Sequence, residues 1–169
     1  VGSLAFDSVS TPTGTAEKVL GGSLNFFSIS ASFFNPLQLV GVVGEDFPEE
    51  HLTFLKGRGI NIEGLERSSG RTFRWKGEYS YQLNEAKTLK TELNVLETFR
   101  PVIPASYRDI PIVFLANIDP TLQLDVLNQV KKPKLVACDT MNFWIEGKRD
   151  ALIKTLAAVD ILIINDGEA

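Results

Sequence analysis

The chain has 169 residues, 44% of them hydrophobic and 22% charged, which fits one globular domain and excludes a disordered or collagen-like polypeptide. Its formal net charge of −4 argues against non-specific nucleic-acid binding, because neutralising phosphates takes a basic surface. One cysteine and one histidine exclude an internal disulfide framework, a Cys-rich zinc site and any site needing two imidazoles. Apolar runs such as 161–164 are too short to cross a bilayer, and the first residues carry no secretory signal pattern. A cytoplasmic protein without membrane or nucleic-acid partners is expected.

Residues 1–6 form an apolar run that predicts a buried strand ending at Asp7. Residues 8–20 predict a hairpin with its turn near Pro12, Thr13 and Gly14. Gly21 and Gly22 then open a buried helix over 24–34, with Ser23 as its N-cap. A β-branched strand over 37–43 closes at Gly44. Asp46 as N-cap, Pro48 and Glu49 predict a helix over 48–58 that stops at Gly59. A short strand follows over 60–65. Between 71 and 83, Phe73, Trp75, Gly77, Tyr79 and Tyr81 occupy alternate positions, so this strand has two unlike faces. Its aromatic face must cover a neighbouring sheet, a partner subunit or a ligand. A polar turn is expected over 84–91 and a return strand over 93–99.

A strand is expected over 112–115, then a helix capped by Asp119 with Pro120 at its first position, running to Val130. Lys131 and Lys132 suit the negative end of its dipole. A strand over 135–138 ends on Asp139, a helix covers 147–159 and a final strand covers 160–164. Strands alternating with helices predict a parallel sheet covered on both faces, with ligands outside the carboxyl ends of the strands. That rule selects Asp7, residues 44–46, Asn117, residues 139–142 and residues 165–168. Strand ends also need turn formers and caps, and for Asp139 and Asn142 the two roles stay open. Cys138 reads as an inert buried thiol, and His51 is given no role.

Five segments, in order, resemble the PfkB or ribokinase-like carbohydrate kinase family. They are Gly21-Gly22-Ser23, residues 39–47 (LVGVVGEDF), residues 70–75 (GRTFRW), residues 139–142 (DTMN) and residues 165–168 (NDGE). The resemblance implies a three-layer α/β/α parallel-sheet domain with a small β-sheet lid, the lid strands lying within 8–20 and 71–99. It implies ATP-dependent phosphorylation of a sugar hydroxyl with Mg²⁺. A nucleoside kinase of the same family is the alternative. A non-catalytic, self-associating module built on the aromatic strand is a third reading. Residues 1–169 are then expected to be the N-terminal, C-terminally incomplete portion of one kinase domain. The family's catalytic Asp is expected beyond Ala169, so the chain is expected to be inactive alone.

Carried over by position, Asp7 matches the acidic residue that binds sugar hydroxyls, and Gly21 and Gly22 match the paired glycines that let backbone approach the substrate. Asn165 and Glu168 match an Asn-x-x-Glu motif that organises Mg²⁺, water and phosphate, with Glu168 as the metal residue. Phe73, Trp75 and Tyr79 match the lid, through which a homodimer would form. The family commonly has Asn a few residues after the paired glycines; here Phe26 stands there, and Asn25 is taken as its substitute in the substrate site beside Asn117. These types suit the chemistry. A carboxylate accepts two hydroxyls at once. Glycine removes a Cβ clash, and phosphoryl transfer depends on positioning and charge neutralisation.

Overall fold

The computed structural model describes residues 1–81 and 86–169. Its strands are β1 (Ala5–Thr11), β2 (Gly14–Gly21), β3 (Leu37–Gly44), β4 (Ile60–Ser68), β5 (Phe73–Tyr79), β6 (Ala86–Glu92), β7 (Ile112–Leu115), β8 (Leu135–Asp139) and β9 (Ile161–Ile163). Its helices are α1 (Ser23–Ala31), α2 (Glu49–Gly57), α3 (Val95–Thr98), α4 (Pro120–Leu127), α5 (Asn142–Gly147) and α6 (Arg149–Leu156).

Two parallel groups, β3-β4 and β7-β8-β9, make the main sheet. Residues 1–4 join them. The Val1 nitrogen donates to Phe114 O at 2.9 Å, and Ala116 N donates to Val1 O at 2.8 Å, the spacing of a parallel pair. On the other side Gly2 N donates to Val40 O at 3.3 Å. Residues 39–44 of β3 are all buried, as a strand covered on both faces must be.

The two cores follow from alternation along β3. Leu39 and Val43 pack with Leu24 of α1, Phe47, and Leu52 and Leu55 of α2. Val40 and Val42 pack on the opposite side with Val95, Leu96, Phe99, Tyr107, and Leu122 and Val126 of α4. Each of these buried side chains contributes about 1.5–3 kcal/mol. Helices on both faces of a parallel sheet give the three layers expected.

Beyond residue 4 the same run of chain leaves the main sheet as β1 and enters a second one, ordered β2-β1-β5-β6. β1 pairs antiparallel with β2 and parallel with β5, and β5 pairs antiparallel with β6. This is the lid. The first strand therefore does not end at Asp7: from Ala5 onward its partners become Gly21 and Phe73, and the strand runs on to Thr11.

Other expectations are corrected. Ser23 is not the cap of α1. That position is Gly22 at φ 91°, with no side-chain cap bond. Asp46 does not cap α2, which Pro48 precedes; its carboxylate is taken by the lid. The return strand of the lid is β6, which overlaps the segment expected to be a turn and ends one residue past it, and residues 95–98 are helical instead. Pairing with β5 along most of its length, broken by a register shift at Leu89, overrides the polar composition of 86–92. Leu83, the expected end of the aromatic strand, and Asn84, the expected start of the turn, lie outside the described residues. A short helix, α5, precedes α6, and α4 ends at Leu127. The hairpin turn at residues 12–13 and the Asp119 cap on Thr121 N agree with the sequence.

Candidate functional site

Asp7 lies where the chain passes from main sheet to lid. Its Oδ2 accepts from Gly22 N at 3.4 Å. The carboxylate fills the space a side chain at position 21 would need: a Cβ on Gly21 would lie 1.9 Å from Asp7 Oδ2. A Cβ on Gly22 would lie 2.4 Å from Ser3 O, and its φ of 91° is also in glycine's range. Both glycines are thus required by the backbone and by Asp7. Burial raises the Asp7 carboxyl to about 6, against the opposing pull of the Gly22 hydrogen bond. At neutral pH it is largely an ionised acceptor in a partly dry setting.

The start of α1 is tied to the end of β7. Leu24 N donates to Ser3 O, and Ser23 Oγ donates to Asn117 O at 3.3 Å. Asn117 Oδ1 accepts from Trp144 Nε1 of α5 at 2.8 Å. Gln123 is fully buried, and its Nε2 donates to Leu115, Ala116 and Asp139 carbonyls, fixing the ends of β7 and β8 against each other. Asp139 Oδ1 and Thr140 Oγ1 are buried there without a hydrogen-bond partner among the described residues. Burial first, and then the Glu168 charge, raise the Asp139 carboxyl to about 7, so it exchanges its proton near neutral pH.

Asn165 and Glu168 lie past β9 in an exposed turn that closes on itself. Asn165 Oδ1 accepts from Gly167 N and Glu168 N, and Glu168 Oε2 accepts from Asn165 N. Asn25 is 2% exposed and its Oδ1 has no partner, whereas Phe26 is 59% exposed on the outside of α1.

In the lid, Trp75 lies beside Asp7 in register, on the same face. Its indole covers Gly77, where a Cβ would lie 2.0 Å from the ring, and its Nε1 donates to Thr88 Oγ1 at 3.2 Å. Tyr79 meets it edge-on, with ring centroids 6.5 Å apart. Phe73 is at the lid root and packs against the main core.

The lid root holds a cluster that sequence reasoning did not assemble. Asp46 Oδ1 accepts from Thr72 N and Thr72 Oγ1, each at 2.7 Å, and its Oδ2 accepts from Arg74 at 2.9 Å. Gly44 N donates to Thr72 Oγ1 at 3.0 Å. These bonds, with the Arg74 charge, hold the Asp46 carboxyl below its usual range despite some burial. Asp46 and Thr72 both fall in segments that carry the resemblance, but nothing local joins them. Gln123 and Trp144 carried no sequence signal beyond an apolar helix face.

No protein-family model matches the sequence, and neither does any curated protein. Solved structures do match. A nucleoside kinase of Methanocaldococcus jannaschii, described as an archaeal member of the ribokinase family, aligns with a TM-score of 0.72 at 18% identity, over 99% of this chain and 60% of that one. A fructokinase of Xylella fastidiosa with bound ATP aligns at 0.67 and 19% identity, over 95% and 58%. A ribokinase of Thermotoga maritima aligns at 0.60 and 16% identity, over 95% and 56%. The chain has the ribokinase-like kinase fold, and it spans about 60% of the length of these proteins.

Proposed function

We propose that this chain is the substrate-binding and lid part of an ATP-dependent sugar kinase. The observation that carries the reading is Asp7, held between Gly22 N–H and the lid, beside Trp75 and at the carboxyl edge of a parallel sheet. A carboxylate so placed accepts a pair of sugar hydroxyls. The indole face offers a platform for the ring, and the lid excludes water that would compete as phosphoryl acceptor. Neighbours of this fold that act on sugars and carry ATP support the same assignment. The catalytic base belongs, in this reading, to the further length those neighbours possess, so the chain alone binds without turning over.

Asn165 and Glu168 are proposed to organise phosphate and Mg²⁺. Among the described residues no three His, Cys, Asp or Glu side chains converge into a metal cage. Mg²⁺ in kinases is held by one or two carboxylates, waters and substrate phosphates, and the electrostatically coupled Glu168 and Asp139 fit that sparse oxygen set. When bound, the ion neutralises charge on the transferred phosphoryl group. A homodimer paired through the lid is part of the same proposal.

Calorimetric titration of the chain with a panel of pentoses, hexoses and nucleosides tests the reading. Saturable sugar binding that disappears in Asp7→Asn is expected. Binding of nucleosides alone selects the nucleoside-kinase alternative, and binding of neither class removes both.

A further inference from the structure

The lid sheet has a second face. Alternation along β1 and β5 sends Asp7, Trp75 and Gly77 to one side and Phe6, Arg74 and Lys76 to the other. Mainly on that other side, with Trp75 also at its border, lies a cleft of about 380 Å³, within the size range of small-ligand sites. Four cationic side chains from three strands line it: Lys18, Arg74, Lys76 and Lys90. Two carboxylates, Glu17 and Glu92, line it as well. Glu92 pairs with Lys90 at 3.1 Å, and Arg74 is paired outside the cleft lining with Asp46. Among the described residues Lys18 and Lys76 have no ion pair. This excess of cations stands on a chain whose net charge is −4.

The groups are held in place. Lys18 has φ 54°, a backbone conformation uncommon outside glycine. Its N–H donates to Ser8 Oγ at 3.2 Å, and its Nζ lies 5.4 Å from the centre of the Phe6 ring. Arg74 is anchored by Asp46, and its Nε is buried with no hydrogen-bond partner among the described residues. The Arg74 side chain borders the cleft beside two ammonium groups that have no ion pair among the described residues.

We propose that this cleft binds the phosphoryl group of a small phosphomonoester. Several donors approaching from separate strands suit a tetrahedral group with three charged oxygens. The site is on the opposite face of the lid from Asp7, so its ligand is an effector and not the phosphoryl acceptor. Through Arg74 and Asp46 an occupant ties β2 and β5 to the lid root. The effector role rests on the sugar-kinase proposal; phosphoryl binding in the cleft does not.

The test is calorimetric titration of the chain with inorganic phosphate and with glycerol 3-phosphate at constant ionic strength. Saturable one-to-one binding is expected, with the monoester at least as tight as phosphate. The double substitution Lys18→Gln/Lys76→Gln should weaken it by about tenfold or more, since each removes a charge-assisted contact. Lys18→Arg/Lys76→Arg should retain it, Lys154→Gln on α6 should leave it unchanged, and Asp7→Asn should not affect it. Thermal melts confirm that each variant is folded. Binding undiminished in the double Gln variant overturns the proposal. So does a monoester that binds more weakly than phosphate, or saturation only above about 10 mM, which marks an adventitious ion only.

Discussion

At the lid root, Asp7 is bonded to Gly22 fifteen residues away, and Asp46 to Thr72 and Arg74 at separations of 26 and 28 residues. In the turn after β9, Asn165 and Glu168 bond to each other and to Gly167, within three residues. Both regions carry acidic residues whose carboxylates accept backbone N–H groups. The first is an assembly of distant segments, half-buried and packed against glycine backbone that leaves no room for a Cβ. The second is a local, exposed turn whose Asn165 and Glu168 side chains bond to its own backbone. Changes at the lid root should therefore cost stability in the elements it joins, while changes in the turn should be felt mainly by what binds there.

The largest effect is expected from Gly22→Ala. A Cβ at that position meets Ser3 O at 2.4 Å, and φ 91° is unfavourable for alanine. Overpacking and backbone strain together should cost about 3 kcal/mol, read by urea denaturation. An unchanged midpoint would show that the lid root yields more readily than its geometry implies.

Asp7→Asn should move stability the other way. The folded-state carboxyl is raised to about 6 from 3.8, so the unfolded chain releases its proton first as pH rises. Stability is accordingly lost between about pH 4 and pH 6, and the wild-type chain carries that deficit at pH 7. The Asn variant should be more stable at pH 7 by up to about 2 kcal/mol and show a flatter pH profile, while losing sugar binding. Loss of binding together with loss of stability would make Asp7 a structural residue.

Asp46→Ala removes the acceptor of Thr72 N–H, Thr72 Oγ–H and Arg74. The partly exposed site limits the cost to about 1–2 kcal/mol. Its signature is faster amide exchange in β5 and β6, with the main sheet unchanged. Because the Asp46 carboxyl is held low, its contribution is present above the ordinary aspartate range and fades only as pH falls through the lower folded value.

Asn165→Ala should be smallest. It breaks two bonds in an exposed turn, and a shift below about 1 kcal/mol is expected. A larger shift would mean that the turn supports the sheet, and the contrast with the lid root would fail.

The main-sheet strands were legible because each is a short β-branched run bounded by a turn former, as in 37–44 and 112–115. The hairpin at 12–13 and the Asp119 cap were legible because their chemistry is complete within three residues. Asp46 misled for the same reason. Its spacing to Pro48 and Glu49 is that of a helix start, yet its carboxylate finds better donors 26 and 28 residues on. β6 was hidden because AKTLKTE has the composition of a turn and becomes a strand by pairing with β5. In the candidate site, Asp7, Gly21 and Gly22 were marked by sequence and lie together. Gln123 and Trp144 were not marked, since their role is to bond groups on other elements.

The sequence by itself determined the alternation of buried strands and helices, and with it a three-layer parallel sheet. It also placed glycine where no Cβ fits. Only the tertiary structure decided which acid answers to which donor. It made Asp7 a member of the lid and not the end of a strand, and it divided the lid into a face beside Asp7 and a cationic face behind it. Periodicity and turn chemistry act over a few residues and can be read along the chain. Hydrogen-bond partners and burial are set by segments that meet only when the chain has folded.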